Sequence, residues 1–332
     1  MVTECNKGVL FKDNTLWAYN FEIGAKINLD CDSSDEFIIP PKAIDMIEQL
    51  VGEEIEIIQK DTKITVKSSK GRSSFATVPA KEFAWPKTVM DDRDVQSLDA
   101  NEVCEAIEKV IYACREDLEN EYLRGVRIES DGDRLNFVAT DGVKFAMCQT
   151  QNVNKLNVTI PKSALIKLLS FKPKGDLVLS ATKNNAVFKS DDYEIYTPLI
   201  SGDKFVNYKR VIEQFFDGNS HKVEIDRLSL LTCLQRSLIC DGDKLKTPVV
   251  LACAGDTVNV STRSVIAEFS ESVTVGTRFP ADIEIAMQPS VLLETLRAFD
   301  DDTLELYYTT ALKPILISNG GLKAIAVPCR RN

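Results

Sequence analysis

The chain has 332 residues, 44% hydrophobic and 27% charged, a composition that excludes a disordered chain, collagen or a simple coiled coil. Lys+Arg 40 against Asp+Glu 50 gives a net charge of −10, so contact with nucleic acid requires a basic surface segregated from an acidic exterior. No apolar run reaches the ~20 residues of a membrane span, and Met1–Lys7 lacks the make-up of a signal peptide; a soluble, cytoplasmic protein without membrane contact is the expectation.

In chain order, the first signal is a strand pair, Gly8–Phe11 and Leu16–Tyr19, with alternating apolar residues. A helix follows over Ile39–Leu50, with proline at its start. Alternating strands come next at Ile55–Ile58 and Ile64–Lys67, then a closing strand, Phe75–Pro79. Asp99, with Glu102 three residues on, marks a helix start. Its apolar stripe is Val103, Ala106, Ile107, Val110, Ile111 and Cys114. A strand pair, Gly125–Ile128 and Leu135–Val138, leads to a helix over Ile160–Leu169, then strands Leu177–Ser180, Ala186–Lys189 and Tyr193–Pro198. The pattern recurs a third time. Asp226 precedes a helix bearing Leu230, Leu231, Leu234 and Leu238, and strands Val249–Ala252 and Val258–Ser261 follow it. A helix over Gln288–Phe299 then leads to strands Leu304–Tyr307, Ile315–Ile317 and Ala324–Pro328.

The unit is helix, strands, helix, strands, present twice in full and once without its leading helix and strand. The implied fold class is α+β with antiparallel sheets, in three repeats of 1–92, 93–216 and 217–332. A first repeat so shortened is expected to be unable to bury its sheet as its siblings do.

Enzyme chemistry finds little support. The chain holds nine cysteines and one histidine. No Cys-x-x-Cys pair occurs, so the cysteines read as small buried apolar residues in a reducing compartment, not as metal ligands or disulfides. His221 lies in a polar stretch with no nucleophile elbow near it. No glycine-rich phosphate loop is present. The acidic clusters Asp91-Asp92-Arg93-Asp94 and Asp300-Asp301-Asp302 lack the alternation of a calcium loop and read as solvated turns. No catalytic residue, metal or cofactor is therefore expected.

Four segments stand in a fixed order within the repeat: Leu123–Ile128, Val138–Ala146, Gly202–Val211 and Val327–Arg330. In that order and spacing they resemble the bacterial sliding clamp, the beta subunit of DNA polymerase III, and the match runs from about Gly8 to the C-terminus. The resemblance implies a DNA-clamp fold assembled as a head-to-tail homodimeric ring, helices on the inner face and sheets outside. It implies a non-enzymatic processivity factor that encircles duplex DNA, and partners (a polymerase and a clamp loader) that dock short Gln/Leu/Phe linear motifs.

By motif alignment the docking pocket is walled by Leu123, Thr140, Gly142, Val143, Lys144 and Phe145. Val206, Arg210 and Val211 come from the connection between repeats. Leu245, Ala311 and Lys313 come from the third repeat, and Ile325, Val327, Pro328, Cys329 and Arg330 from the last strand. The chain departs from the family where Val143-Lys144-Phe145 replaces a frequent His-Arg-Leu, and where Val206 and Cys329 replace proline and methionine. DNA-facing cations are expected at Lys162, Lys167, Lys172, Lys174, Arg227, Arg236 and Arg297, although Glu102, Glu105 and Glu108 make the helix near Asn101 acidic, with Lys109 and Arg115 as partial offset. Subunit contacts are expected between Phe75 and Thr77 on one side and Ile239 and Cys240 on the other. Because the front of the first repeat is missing, a clamp-like decoy or adaptor that binds such motifs without encircling DNA is the alternative. An enzyme acting through carboxylate pairs is the third.

Overall fold

The computed structural model describes residues 4–31, 33–86, 95–151, 155–201, 205–240 and 247–330. The first repeat opens on a single-turn helix, α1 (Glu4–Lys7). It continues with β1 (Val9–Lys12), β2 (Thr15–Tyr19), β3 (Gly24–Asn28) and β4 (Phe37–Ile39). Helix α2 (Pro41–Glu48) then precedes β5 (Glu56–Lys60), β6 (Lys63–Ser68) and β7 (Gly71–Ala76). The second repeat runs β8 (Val95–Asp99), α3 (Ala100–Val110), β9 (Gly125–Asp131), β10 (Arg134–Thr140), β11 (Lys144–Gln151) and β12 (Asn157–Pro161). Its back half is α4 (Lys162–Ser170), β13 (Asp176–Ala181), β14 (Asn185–Lys189) and β15 (Tyr193–Pro198). A short helix, α5 (Tyr208–Glu213), connects to the third repeat. That repeat comprises β16 (His221–Asp226), α6 (Arg227–Ile239), β17 (Val249–Ala254), β18 (Thr257–Arg263), β19 (Glu268–Thr274) and β20 (Ile283–Met287). It ends with α7 (Pro289–Arg297), β21 (Thr303–Tyr308), β22 (Ile315–Asn319) and β23 (Leu322–Ala326).

The complete repeat is thus strand, helix, four strands, helix, three strands, richer than the strand pairs legible in the sequence. Local chemistry accounts for the helix starts. The Asp99 carboxylate accepts the Asn101 N–H at 2.9 Å, and the Asp226 carboxylate accepts the Ser229 N–H at 2.7 Å. Pro41 and Pro289 open α2 and α7, where the missing N–H costs nothing. No helix among the described residues is long and apolar enough to cross a membrane.

The chain forms two compact units, residues 1–101 with 163–199 and residues 102–162 with 200–332. These divisions cut across the repeats because each unit is built on a sheet that two repeats share. In the first unit the order is β4-β1-β2-β3-β15-β14-β13-β8, and β5-β6-β7 forms a separate sheet. In the second it is β12-β9-β10-β11-β23-β22-β21-β16, beside the sheet β19-β18-β17-β20. The joints are antiparallel ladders: Glu194 faces Lys26 and Tyr196 faces Gly24 in one, while Phe145 faces Ile325 in the other.

The first repeat buries less of its sheet than the second, β2 being half-buried throughout where β10 is buried from Leu135 to Thr140. On one side of its sheet Phe11, Phe37 and Ile39 pack with Ala43 of α2 and with Ile64 and Val66. On the other, Leu10 and Ile38 pack under Trp17, Val78 and Phe83. Alternation along β1 sends neighbouring residues to opposite cores. Gly24 leaves room for the Trp85 ring, since an added Cβ would lie 2.8 Å from it. Among the described residues α1 is four residues long, where α3 has 11 and α6 has 13.

Hydrogen bonds from the Ser229 hydroxyl and backbone N–H hold the Asp226 carboxyl below its usual range. A depressed carboxylate contributes stability above its unfolded pKa and loses it as pH falls through the folded value. Asp226→Ala is expected to cost about 1 kcal/mol near neutral pH. The difference from the parent chain should vanish on acidification well below the ordinary aspartate range; denaturant titrations at the two pH values measure it.

Candidate partner-binding site

The site grows from the turn between β10 and β11, in the second unit. Gly142 has φ +89°, a left-handed conformation that costs glycine nothing. The Asp141 carboxylate accepts the N–H groups of Val143 and Lys144 at 2.9 and 2.7 Å, and the Thr140 hydroxyl donates to the Lys144 carbonyl at 2.7 Å. The Thr-Asp-Gly sequence therefore locks its own turn. The C-terminal tail is tied to it, since the Val327 N–H donates to the Val143 carbonyl at 3.0 Å and the Cys329 N–H to the Ala286 carbonyl at 2.9 Å.

Beside the turn, α5 is capped by Asn207, whose side chain accepts the Arg210 N–H. This fixes Tyr208 and Ile212 against the sheet, in a cluster with Val138, Phe145, Met147, Phe215, Leu316 and Ile325. Phe205, Val211 and Tyr307 pack on its edge. Tyr208 stacks on Phe145 at 6.3 Å between centroids. Its hydroxyl accepts from Asn136 at 3.1 Å and donates to Glu129 at 3.3 Å, and burial pushes its pKa up. The rim carries Val143 and Val206, 42% and 37% exposed, with Val211, Val327 and Pro328 half-buried. A firm aromatic floor under a small apolar rim is suited to binding one short apolar segment, with the turn and tail backbone close by.

Models of the DNA polymerase III beta subunit match the chain in two places, the central domain over residues 97–205 and the C-terminal domain over residues 215–326. The chain belongs to the bacterial DNA sliding-clamp family. It is similar to the beta sliding clamp of Escherichia coli, 24% identical over 292 residues, covering 83% of this chain and 75% of that protein. The clamp of Synechococcus elongatus is 23% identical over 323 residues, covering 92% and 84%. Among solved structures, a Pseudomonas aeruginosa sliding clamp bound to griselimycin superposes with a TM-score of 0.89 at 20% identity, covering 100% of this chain and 93% of that one.

Against this clamp site, the structure sorts the positions expected from sequence. Thr140, Gly142, Val143, Phe145, Val206, Arg210, Val211, Ile325, Val327, Pro328 and Cys329 gather on the turn, α5 and the tail. Arg330 ends the tail, exposed. Leu123 is buried in the turn before β9; Ala311 and Lys313 lie in the β21–β22 connection, half-buried and exposed respectively. Leu245 lies outside the described residues.

Lys144 stands apart from the other residues of the turn. Strand alternation turns it away from Phe145, to the opposite face of β11. There its ammonium donates to the Tyr112 carbonyl at 3.0 Å and to Glu294 at 2.5 Å, with its side chain 14% exposed. The basic members of the rim are Arg210 and Arg330. Cys329 stays a thiol, since burial raises its pKa, and burial likewise pushes Cys114 and Cys253 up to about 12.

The expected DNA-facing cations also divide. Lys162 donates to the Cys114 carbonyl at 3.0 Å, Arg227 to the Asp301 carbonyl at 2.7 Å, and Arg236 forms a fork with Glu271, so these three are committed within the fold. Lys167, Lys172, Lys174 and Arg297 are exposed and take part in no ion pair among the described residues.

At the expected subunit contact, Phe75 turns inward against the α2 core, because Ser73 and Phe75 face in while Arg72, Ser74 and Ala76 face out. The Thr77 hydroxyl donates to the Ile38 carbonyl at 2.5 Å. Ile239 is 81% exposed, and the Ser264 hydroxyl binds the Cys240 carbonyl at 2.7 Å. That bond sets Val265 and Ile266, 105% and 74% exposed, beside the end of α6. These two, and the Tyr208 platform, were missed in the sequence because turn and linker residues carry no periodicity.

Lys144→Met is expected to destabilise the clamp by about 1 kcal/mol, since Glu294 and the Tyr112 carbonyl lose their shared donor. Affinity for a docking peptide should remain unchanged. Denaturation and peptide titration of the variant check both halves.

Proposed function

We propose that this clamp closes head to tail with a second copy, encircles duplex DNA, and tethers a polymerase through a linear motif seated on the Phe145–Tyr208 platform. A rule of strand pairing within the chain carries the ring. In the first two repeats, the third of the four strands between the helices takes the last strand of the following repeat as its neighbour: β3 takes β15, and β11 takes β23. Two strands are left over by the same rule, β19 in the third repeat and β7 in the first, each with a single neighbour. Pairing β7 of one copy with β19 of another satisfies both edges and repeats the joint found twice within the chain. Three repeats per chain, at 1–92, 93–216 and 217–332, then yield a closed ring from two copies.

Exposed Ile239, Val265 and Ile266 lie close to this joint, where α6 packs on β18 and β19. An apolar patch of this kind is ordinary at an interface and costly in water. Topological capture needs only weak contact with phosphates, which Lys167, Lys172, Lys174 and Arg297 supply. A clamp loader would engage the same platform as the polymerase, by the same class of motif.

The acidic face of α3 favours a second reading, an adaptor that binds motifs without encircling DNA. Glu102, Glu105, Asp300 and Asp301 line a cleft of about 930 Å³ where a duplex would meet repulsion. Solution mass separates the two: a closed clamp sediments as a stable dimer, and an adaptor as a monomer. Ile239→Asp is expected to convert dimer to monomer without unfolding, because the residue is on the surface. A peptide of Gln-Leu-x-Leu-Phe type is expected to bind the parent chain, and Val143→Asp to weaken it at least about tenfold by placing a charge against the anchor. Unchanged affinity in Val143→Asp would remove the docking assignment.

A further inference from the structure

The turn between β2 and β3 repeats the one between β10 and β11 bond for bond. The Asn20 N–H donates to the Ile23 carbonyl at 3.2 Å, as the Asp141 N–H does to the Lys144 carbonyl at 3.2 Å. The Asn20 side-chain oxygen accepts the Glu22 and Ile23 N–H groups at 3.0 and 2.7 Å, the part Asp141 plays towards Val143 and Lys144. One position differs in kind. Where the second repeat has Gly142 at φ +89°, the first has Phe21 at φ +71°. L side chains rarely adopt that left-handed region, and a bulky one there is strained. The ring does not offset the strain by entering a core, since Phe21 is 45% exposed. A strained residue held on the surface points to a task outside the fold.

The surroundings of Phe21 indicate which task. Tyr19 packs on it at 5.3 Å between centroids, and Trp85 and Tyr196 lie 5.7 and 6.0 Å from Tyr19. Gly24 occupies the place that Phe145 has at the other joint, and the Trp85 ring fills the space. Aromatic surface thus runs without a break from the turn across the β3–β15 joint. Lys26 already lies against the Trp17 and Trp85 rings, Nζ 4.2 and 5.1 Å from their centroids, and donates to Glu194 at 3.0 Å. The place for a cation among these rings is therefore taken from within the chain.

We infer that this aromatic surface is a docking site for a proline-rich partner segment in polyproline II conformation, carrying an arginine or lysine beside its prolines. Proline rings pack on aromatic faces at little entropic cost, and the segment's unpaired carbonyls need donors. The Tyr19 hydroxyl is one. It makes no hydrogen bond among the described residues, and burial raises its pKa, which keeps the proton in place. Glu22, exposed next to Phe21, takes part in no ion pair among the described residues and complements the basic residue. The same carboxylate repels a phosphate backbone, so single-stranded DNA, which also stacks on aromatic rings, fits less well. The inference stands apart from ring closure and from peptide binding at the Phe145–Tyr208 platform.

The test uses the full chain and a fluorescein-labelled peptide, Pro-Pro-Leu-Pro-Pro-Arg-Pro, as the probe. Saturable single-site binding is expected, read by fluorescence polarisation. Phe21→Gly is the most informative variant, because glycine adopts φ +71° without strain. It should weaken binding at least about tenfold while leaving the unfolding midpoint close to the parent's. Glu22→Gln should weaken binding several-fold and reduce its salt dependence. A peptide with alanine in place of every proline should not bind. Absence of saturable binding, equal binding to the Phe21→Gly variant, or a large loss of stability in that variant would each overturn the assignment. An oligothymidine that binds where the peptide does not, and loses affinity in Phe21→Gly, would overturn it as well.

Discussion

A β-strand with a neighbour on one side only presents a row of unpaired N–H and C=O groups, and the organisation of this clamp follows from how such edges are satisfied. Twice within the chain, an edge of one repeat is completed by the last strand of the next. The consequence is visible in how the chain divides: the compact units are built around shared sheets, not around repeats. The same constraint gives β7 and β19 their meaning, because they are the members of the series that the chain itself does not complete.

The Phe145–Tyr208 platform depends on a second consequence of strand geometry, the alternation of side chains across β11. Phe145 faces the linker helix and Lys144 faces Glu294, so one strand serves an apolar surface on one side and a part-buried ion pair on the other. The linker supplies Tyr208 to the floor of that apolar surface, and its hydroxyl is paired with Asn136 and Glu129. The rim is consequently smooth and apolar, with Arg210 and Arg330 at its margin. Burial keeps Cys329 protonated, so it acts there as a small apolar wall.

Much of this was legible in the sequence, for physical reasons that can be named. Proline at helix starts, Asp99 and Asp226 as caps, and alternation in strands such as β6 and β14 are local signals, and the structure bears them out. Strands such as β11 are buried on both faces over Phe145–Cys148 and so lose the alternation that marks a half-buried strand. The pairing of β3 with β15 joins residues far apart in sequence, and no local pattern encodes it. Site residues on the Thr-Asp-Gly turn were found because a turn is a local motif. The motif alignment that singled out Lys144 carries no orientation, so its bond to Glu294 was not legible. The committed cations Lys162, Arg227 and Arg236 illustrate the same gap: a basic residue can be read from sequence, and its partner, a carbonyl or carboxylate from another element, cannot.

Between copies, β7 and β19 are proposed to complete each other. Amide hydrogen exchange measured across a dilution series tests it most directly. Protection of the β7 and β19 amides should be present at high protein concentration and lost on dilution, while the ladder between β11 and β23, internal to the chain, stays protected throughout. Equal exchange of β7 and β19 at every concentration would contradict the account.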